Sequence, residues 1–203
     1  MLVKRAVWLL LLLAVVAHAA TNMWIRTGEA YGIEPRLLYA ISKVESGVRP
    51  LIISVNYKKL TKPQEQKLYT MLQSRNISYK KYSKVVEIDS KNSVTARGVI
   101  EFLDQNSYPS FDIGLMQINN VHKEKLAKMK IPLYALLNEN TNLSVAADIL
   151  WECYKKHRSN DRAINAYNGA IVGNSYYTKV SAELRKLLLL HENGSKRLFY
   201  RVI

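Results

Sequence analysis

The carboxyl group of Glu45 is the first candidate for chemistry, because of where the sequence places it. It begins an E-S-G motif at the end of a helical pattern whose apolar stripe is Leu37, Leu38, Ile41 and Val44. The negative end of a helix dipole and partial burial both disfavour a carboxylate, so we expect a raised pKa for Glu45. A carboxyl group that is still protonated near neutral pH can donate a proton to a leaving oxygen. The alternative is an ordinary surface glutamate.

The stretch FDIGLMQINN, residues 111–120, mixes apolar residues with amides. Leu115 and Ile118 can face a core while Met116 and Gln117 face elsewhere. A partly buried amide needs hydrogen-bond partners for both its oxygen and its nitrogen. A cleft that holds a polymer with hydroxyl and N-acetyl groups would supply such partners. The alternative is a helix start with the glutamine in solvent.

A third motif, INAYNG, occupies residues 164–169. The phenol of Tyr167 is apolar over most of its surface and a hydrogen-bond donor at its tip. Asn168 and Gly169 form a turn signal at a helix end. A core tyrosine followed by a helix cap would give the same pattern.

Taken in order, E-S-G, G-L-M-Q-I-N and A-Y-N-G resemble the lytic transglycosylases that carry the soluble-lytic-transglycosylase domain. Tyr176-x-x-x-Val180 is similar to the closing motif of that family. The resemblance extends from about residue 22 to residue 190. It implies a lysozyme-like fold and a reaction on the glycan strands of peptidoglycan without a metal or a cofactor.

The resemblance implies that Glu45 is the catalytic acid and base. The residues that it implies for substrate binding are Ser46, Met116, Gln117, Asn119, Tyr167 and Asn168. The serine and glutamine would line the cleft and the methionine would shape it. Asn119 would lie beside or behind the sugar. Tyr167 and Asn168 would lie across the cleft from Glu45.

The family pattern shows one carboxylate, whereas ordinary glycosidases place two around the scissile bond. The implied reaction is therefore cleavage of the MurNAc-GlcNAc β-1,4 bond with formation of a 1,6-anhydro ring. A hydrolytic muramidase is the alternative enzyme, with Asp112 as its second carboxylate. A non-catalytic wall-binding assembly factor is the alternative from another class.

Two features depart from the compact members of the family. The interval between Ser46 and Gly114 is long, and Ser110-Phe111-Asp112-Ile113 replaces the usual small residues before G-L-M-Q. This arrangement is similar to transglycosylases encoded with conjugation, type IV pilus and secretion machinery. It implies local opening of the wall for an envelope apparatus, whose components would be partners.

Hydrophobic periodicity predicts helices over 22–31, from Pro35 to Glu45, from Thr61 to Arg75, over 93–105, 122–129, 141–158, 161–168 and 175–191. It predicts short strands at 52–55 and 85–88. The expected fold class is mainly α, lysozyme-like, with a small inserted α+β lobe at about 51–109. The lobe has too little apolar content for a core of its own.

The first 19 residues have the layout of a secretory signal peptide. Lys4 and Arg5 precede a short apolar run, and Ala17-His18-Ala19 offers a cleavage site. We therefore expect an exported, periplasmic protein without a stable membrane span after cleavage. The domain would occupy residues 20–192 and a basic tail residues 193–203.

The chain has 203 residues and a formal charge of +14. Such a charge suits anionic wall polymers, and the sequence contains no nucleic-acid-binding module. Cys153 is expected to be a buried structural cysteine. With His122 and His157 isolated, no metal-ligand spacing is present.

Overall fold

The computed structural model describes residues 22–169 and 175–189. In that part of the chain the α-helices are α1 (Met23–Tyr31), α2 (Pro35–Glu45), α3 (Lys62–Ser74), α4 (Ser93–Gln105), α5 (Lys123–Lys128), α6 (Glu139–His157), α7 (Asn160–Tyr167) and α8 (Tyr176–Leu189). Short 3-10 helices occupy Tyr57–Lys59, Asn120–His122 and Leu133–Leu137.

The strands form one antiparallel sheet. They are β1 (Ile52–Val55), β2 (Ser78–Lys81), β3 (Val86–Asp89), β4 (Phe111–Ile113) and β5 (Ile118–Asn119), and their spatial order is β2-β3-β1-β4-β5. In the centre, Ile53 pairs with Ile88 on one side and with Ile113 on the other. The prediction of a mainly helical chain with a small sheet is confirmed.

The helix that carries Glu45 has local signals at both ends. Pro35 stands at the start of α2, and the side chain of Glu34 caps the helix by accepting a hydrogen bond from the backbone N–H of Arg36. Beyond the last residue of α2, Gly47 has φ +66° and donates its N–H to the carbonyl of Lys43 at 3.2 Å. Gly47 therefore acts as a glycine stop, and the helix ends at Glu45 as predicted.

One hydrophobic core runs through the helices and the sheet. Leu37, Leu38 and Ile41 of α2 are fully buried in it. The region 51–109 also contributes, since Leu68, Leu72, Val99, Ile100 and Leu103 are 0 to 1% exposed and belong to the same core. Apolar side chains of this region therefore pack into the common core.

The two ends of region 51–109 lie side by side. Strand β1 stands at its start, and β4 follows its end; the two strands pair along Ile53–Val55 and Phe111–Ile113. A long excursion of the chain can therefore leave and return at one place beside Asp112. The division of the chain into a common domain and an insert remains a prediction.

No helix in the described part of the chain combines the length and the apolar character that a membrane crossing requires. The predicted signal peptide, residues 1–19, and the predicted tail, residues 193–203, lie outside the described residues. Both assignments remain predictions.

Candidate active site

A cleft of about 620 Å³ opens between the end of α2, strands β4 and β5, and the end of α7. Glu45 and Asp112 both line it. Other predicted residues on its wall are Gln117, Asn119, Tyr167 and Asn168, and region 51–109 adds Asn56, Lys59 and Val85. The fold therefore brings together motifs that are far apart in the sequence.

Glu45 is half-buried at the end of α2 and faces this cleft. Its pKa is raised to about 7, mainly by burial and to a smaller extent by the negative charge of Asp112. Hydrogen bonds from Tyr176 and Asn168 act in the opposite direction, because they stabilise the carboxylate. The predicted raised pKa is therefore present, and burial is its main cause.

Tyr176 holds the carboxyl group of Glu45 in place. Its hydroxyl donates to Oε1 of Glu45 at 2.5 Å, across 131 positions of sequence. The ring is 5% exposed at the start of α8, and Val180 one turn later is 1% exposed. Both residues belong to the Tyr176-x-x-x-Val180 motif, which marks the family resemblance in the sequence but does not by itself indicate a contact with Glu45.

Asp112 is a second carboxyl group in the cleft. Its pKa is raised to about 6, because burial outweighs the opposing effects of a hydrogen bond from Asn119 and the positive charge of Lys59. Nδ2 of Asn119 donates to Oδ1 of Asp112 at 2.8 Å, and Oδ1 of Asn119 accepts from the N–H of Val121 at 2.9 Å. Asn119 therefore orients Asp112 from the wall of the cleft.

The turn between β4 and β5 requires glycine. Gly114 has φ +77°, and a Cβ atom there would lie 2.5 Å from Nδ2 of Asn142 and 2.6 Å from the carbonyl oxygen of Leu136. Asn142 is fully buried and donates to the carbonyls of Ile113 and Leu136, at 2.9 and 2.8 Å. Asn142 lies outside the three sequence motifs, and its hydrogen bonds fix the turn.

Gln117 has a dual position. It lines the cleft, but its Nε2 donates to the backbone carbonyls of Ile52 at 3.1 Å and Gly114 at 2.8 Å. Its backbone is in the left-handed region at φ +46°. The side-chain nitrogen therefore secures the turn and ties it to β1, so part of the reason for an amide at this place is structural.

Met116 does not lie where the motif suggested. Its side chain is 0% exposed, and its contribution to the site is through the backbone. Its N–H donates to Oδ1 of Asn142 at 2.9 Å, and its carbonyl accepts from the hydroxyl of Tyr167 at 2.8 Å. The methionine fills the core behind the cleft because the turn directs its side chain inward.

Ser46 is also behind the cleft, where it is 2% exposed. Its hydroxyl donates to the carbonyl of Leu115 at 2.7 Å and accepts from the N–H of Arg49 at 3.0 Å. These bonds join the end of α2 to the β4–β5 turn. The predicted role of lining the cleft is therefore replaced by one of holding Glu45 against that turn.

Tyr167 and Asn168 stand at the end of α7, on the wall of the cleft. Burial raises the pKa of Tyr167 well above its usual value, and the charges of Glu45 and Asp112 add to the effect. The phenol therefore stays protonated and donates to Met116. Asn168 is exposed and hydrogen-bonds to the carboxyl group of Glu45.

Cys153 is half-buried and lines the cleft, so the expectation of a fully buried cysteine is corrected. Burial raises the pKa of its thiol, which keeps it protonated and unreactive. His122 also lines the cleft, and burial lowers its pKa. Among the residues that the structure describes, no group of three or more metal-ligating side chains comes together.

The arrangement suits proton transfer in both directions. Glu45, with a pKa of about 7, is substantially protonated at neutral pH and can donate a proton. Once it has done so, Tyr176 and Asn168 stabilise the carboxylate that results. The same group is then a base of moderate strength, so one residue can serve as an acid and afterwards as a base.

The sequence model of the family described as "Transglycosylase SLT domain" matches residues 22–183. Relatives include the proteins named "Invasion protein IagB" of Salmonella typhimurium strain LT2 and of Salmonella typhi. Each is 25% identical in an alignment of 200 positions that covers 95% of this chain and 91% of the relative. No solved structure gives a significant match. The chain therefore belongs to the transglycosylase SLT domain family, with its mainly helical lysozyme-like fold, and at that level it is a lytic transglycosylase acting on peptidoglycan.

Proposed function

We propose that the protein cleaves the β-1,4 bond between MurNAc and GlcNAc and leaves a 1,6-anhydroMurNAc end. The observation that carries this proposal is Glu45. It is a half-buried carboxyl group with a pKa raised to about 7, it faces a cleft of about 620 Å³, and two hydrogen bonds stabilise its ionised form. A general acid that must later act as a base needs these properties.

In the first step, the protonated carboxyl group of Glu45 gives its proton to the glycosidic oxygen, and the bond from that oxygen to C1 of MurNAc breaks. The GlcNAc alcohol leaves, and the positive charge that develops at C1 is supported by the N-acetyl oxygen of the same sugar. Tyr176 and Asn168 stabilise the Glu45 carboxylate through hydrogen bonds.

In the second step, the carboxylate of Glu45 takes the proton from the C6 hydroxyl of MurNAc. The oxygen of that hydroxyl bonds to C1 and closes the anhydro ring. Glu45 is protonated again at the end, so the cycle consumes neither water nor a cofactor. The cleft residues Gln117, Asn119, Tyr167 and Asn168 are proposed to contact the sugars on either side of the bond.

Hydrolysis is the second candidate, and Asp112 is the observation that favours it. This carboxyl group lines the same cleft and has a pKa of about 6, so it is largely ionised at neutral pH. A retaining or inverting hydrolase needs such a second carboxylate. Its hydrogen bond to Asn119 and its effect on Glu45 equally suit a supporting role, in which it keeps Glu45 protonated.

The products of the reaction separate these possibilities. Purified protein and Glu45→Gln are incubated with peptidoglycan, and the soluble fragments are analysed by mass spectrometry. Anhydro ends, lighter by one water than reducing ends, support the lyase, and reducing ends support the hydrolase. Removing a general acid typically costs about 10² to 10⁴ in rate. Equal clearing by wild type and Glu45→Gln in a peptidoglycan zymogram would contradict the role of Glu45.

We further propose export and local wall opening for an envelope-spanning apparatus. The layout of residues 1–19 and the cell-wall substrate of the family support export. The D-I-G-L-M-Q-I-N motif with its long preceding interval supports the link to an apparatus, and relatives bear the name invasion protein. Deleting the gene should impair assembly of the apparatus, and wild type but not Glu45→Gln should restore it. A mature chain that starts at Ala20 would support the predicted cleavage.

A further inference from the structure

The cleft carries one cation whose role the proposed reaction does not explain. Among the described residues that line the cleft, Lys59 is the only lysine or arginine. It is exposed and forms no ion pair with any residue in the described part of the chain. Its positive charge reaches Asp112, whose pKa it lowers. A lysine head group can therefore meet a ligand inside the cleft.

The turn that presents Lys59 is anchored to the sheet at its start by two hydrogen bonds. It is the 3-10 helix Tyr57–Lys59, which directly follows β1. The N–H of Asn56 donates to the carbonyl of Ser110 at 3.1 Å, which anchors the turn beside β4. The hydroxyl of Tyr57 donates to the carbonyl of Ser83 at 2.9 Å, which anchors it to the β2–β3 hairpin. These two bonds restrict the backbone that precedes Lys59, which reduces the entropy lost when it binds a ligand.

The proposed substrate has neutral sugar rings, and its negative charges lie on the stem peptides that are attached to MurNAc. A lysine at the rim is of little use for the rings but complements a carboxylate. We propose that Lys59 binds a carboxylate of the stem peptide and so makes the enzyme selective for glycan that still carries charged stems. This inference rests on the proposed function and names a specificity residue of the same site.

Lys59 also has an electrostatic effect on the site, which has to be distinguished from binding of a stem-peptide carboxylate. Its charge acts on Asp112, which in turn acts on Glu45, so removing it changes the titration of the site. That effect belongs to the enzyme and is the same for every substrate. Recognition of a stem carboxylate depends on the substrate's charge, and a matched pair of substrates distinguishes the two.

The test compares uncross-linked glycan strands that carry stem peptides with the same strands after carbodiimide coupling of their carboxylates to methylamine. Lys59→Gln removes the cation and keeps a polar side chain of similar length, and Lys59→Arg keeps the charge. Lys58→Gln is the matched control, since Lys58 is exposed in the same turn and does not line the cleft. The measured quantity is kcat/KM at low ionic strength.

We expect Lys59→Gln to lower kcat/KM on the charged strands by about three- to tenfold, between the effect of an exposed ion pair and that of a charged hydrogen bond. On the amidated strands its effect should be clearly smaller, limited to the electrostatic influence of Lys59 on Asp112. Lys59→Arg and Lys58→Gln should behave as wild type on both, and the difference should shrink as salt is added.

Equal losses on charged and amidated strands would overturn the inference and leave Lys59 with a purely electrostatic effect on the site. Unchanged rates on both substrates would overturn it as well, as would equal effects of Lys58→Gln and Lys59→Gln. Failure of the proposed function would give a different result: the wild-type protein would release no anhydro products from either set of strands.

Discussion

Replacing Tyr176 by phenylalanine removes one hydroxyl group and keeps the ring that is buried in the core. The hydroxyl donates to Oε1 of Glu45 at 2.5 Å and stabilises the ionised carboxyl group. Without this hydroxyl the ionised form of Glu45 is less stable relative to the protonated form, so the pKa of Glu45 rises above about 7. The carboxylate that forms after the first proton transfer is also less stable.

The size of the effect follows from the charge on the acceptor. A hydrogen bond to a charged group contributes about 1.5–3 kcal/mol. Its loss can therefore lower the rate by at most roughly 10- to 150-fold and can move the titration of Glu45 by about one to two pH units. Activity requires protonated Glu45 in the resting enzyme, so it falls as the pH rises through the pKa. In Tyr176→Phe that alkaline fall should move to higher pH while the maximum rate drops.

The assay is release of anhydro-ended fragments from peptidoglycan between pH 5 and pH 9. Tyr177→Phe is the control, because it makes the same change at the next position of α8 and the Tyr177 backbone bond to Asn165 is kept. The melting temperatures of both variants show whether each fold is intact. An alkaline limb that stays in place or moves to lower pH in Tyr176→Phe would refute the reasoning. So would a Tyr177→Phe variant with the same loss.

Other changes give further expectations. Asp112→Asn should reduce kcat less than Glu45→Gln does, and a loss as complete as that of Glu45→Gln together with reducing-end products would favour the hydrolase. The folded pKa of Glu45, about 7 against 4.5 when unfolded, means that wild type loses stability as the pH rises through this window. Glu45→Gln should therefore be more stable than wild type at pH 8 by up to about 3 kcal/mol, but not at pH 4, as denaturant titrations can measure. Gly114→Ala should cost about 2 kcal/mol or more and lower the melting temperature by roughly 4–8 °C, because φ is +77° and backbone oxygens crowd the site. Gly98→Ala, inside α4, should not destabilise and serves as its control.

Local patterns were sufficient where an element carries its own signals. Helix α2 begins at Pro35 and ends before Gly47, as the sequence predicts, because proline and glycine act on the backbone directly. Strand β1 and helix α4 have the predicted bounds of Ile52–Val55 and Ser93–Gln105. The placement of Glu45 at a helix end follows from these signals alone.

Elements that depend on a distant partner were missed. Strand β2 has the polar sequence S-Y-K-K, and it becomes a strand because it pairs with β3 along Val86–Asp89. Strands β4 and β5 are three and two residues long, and the G-L-M-Q-I-N motif that joins them could equally have begun a helix. The segment forms strands because β4 pairs with β1 and β5 pairs with β4. So short a segment has no hydrophobic periodicity from which this could be predicted.

The sequence by itself determined which residue types stand ready for chemistry and in what order, because motif order and helix signals are properties of the chain. It placed Glu45 at a helix end and pointed to Gln117, Asn119, Tyr167 and Asn168. Only the tertiary structure decided what each of them meets. Met116 and Ser46 proved to be buried behind the cleft, and Tyr176 proved to bond to Glu45. Burial and contact between distant residues depend on how the helices and the sheet pack, which no local pattern encodes.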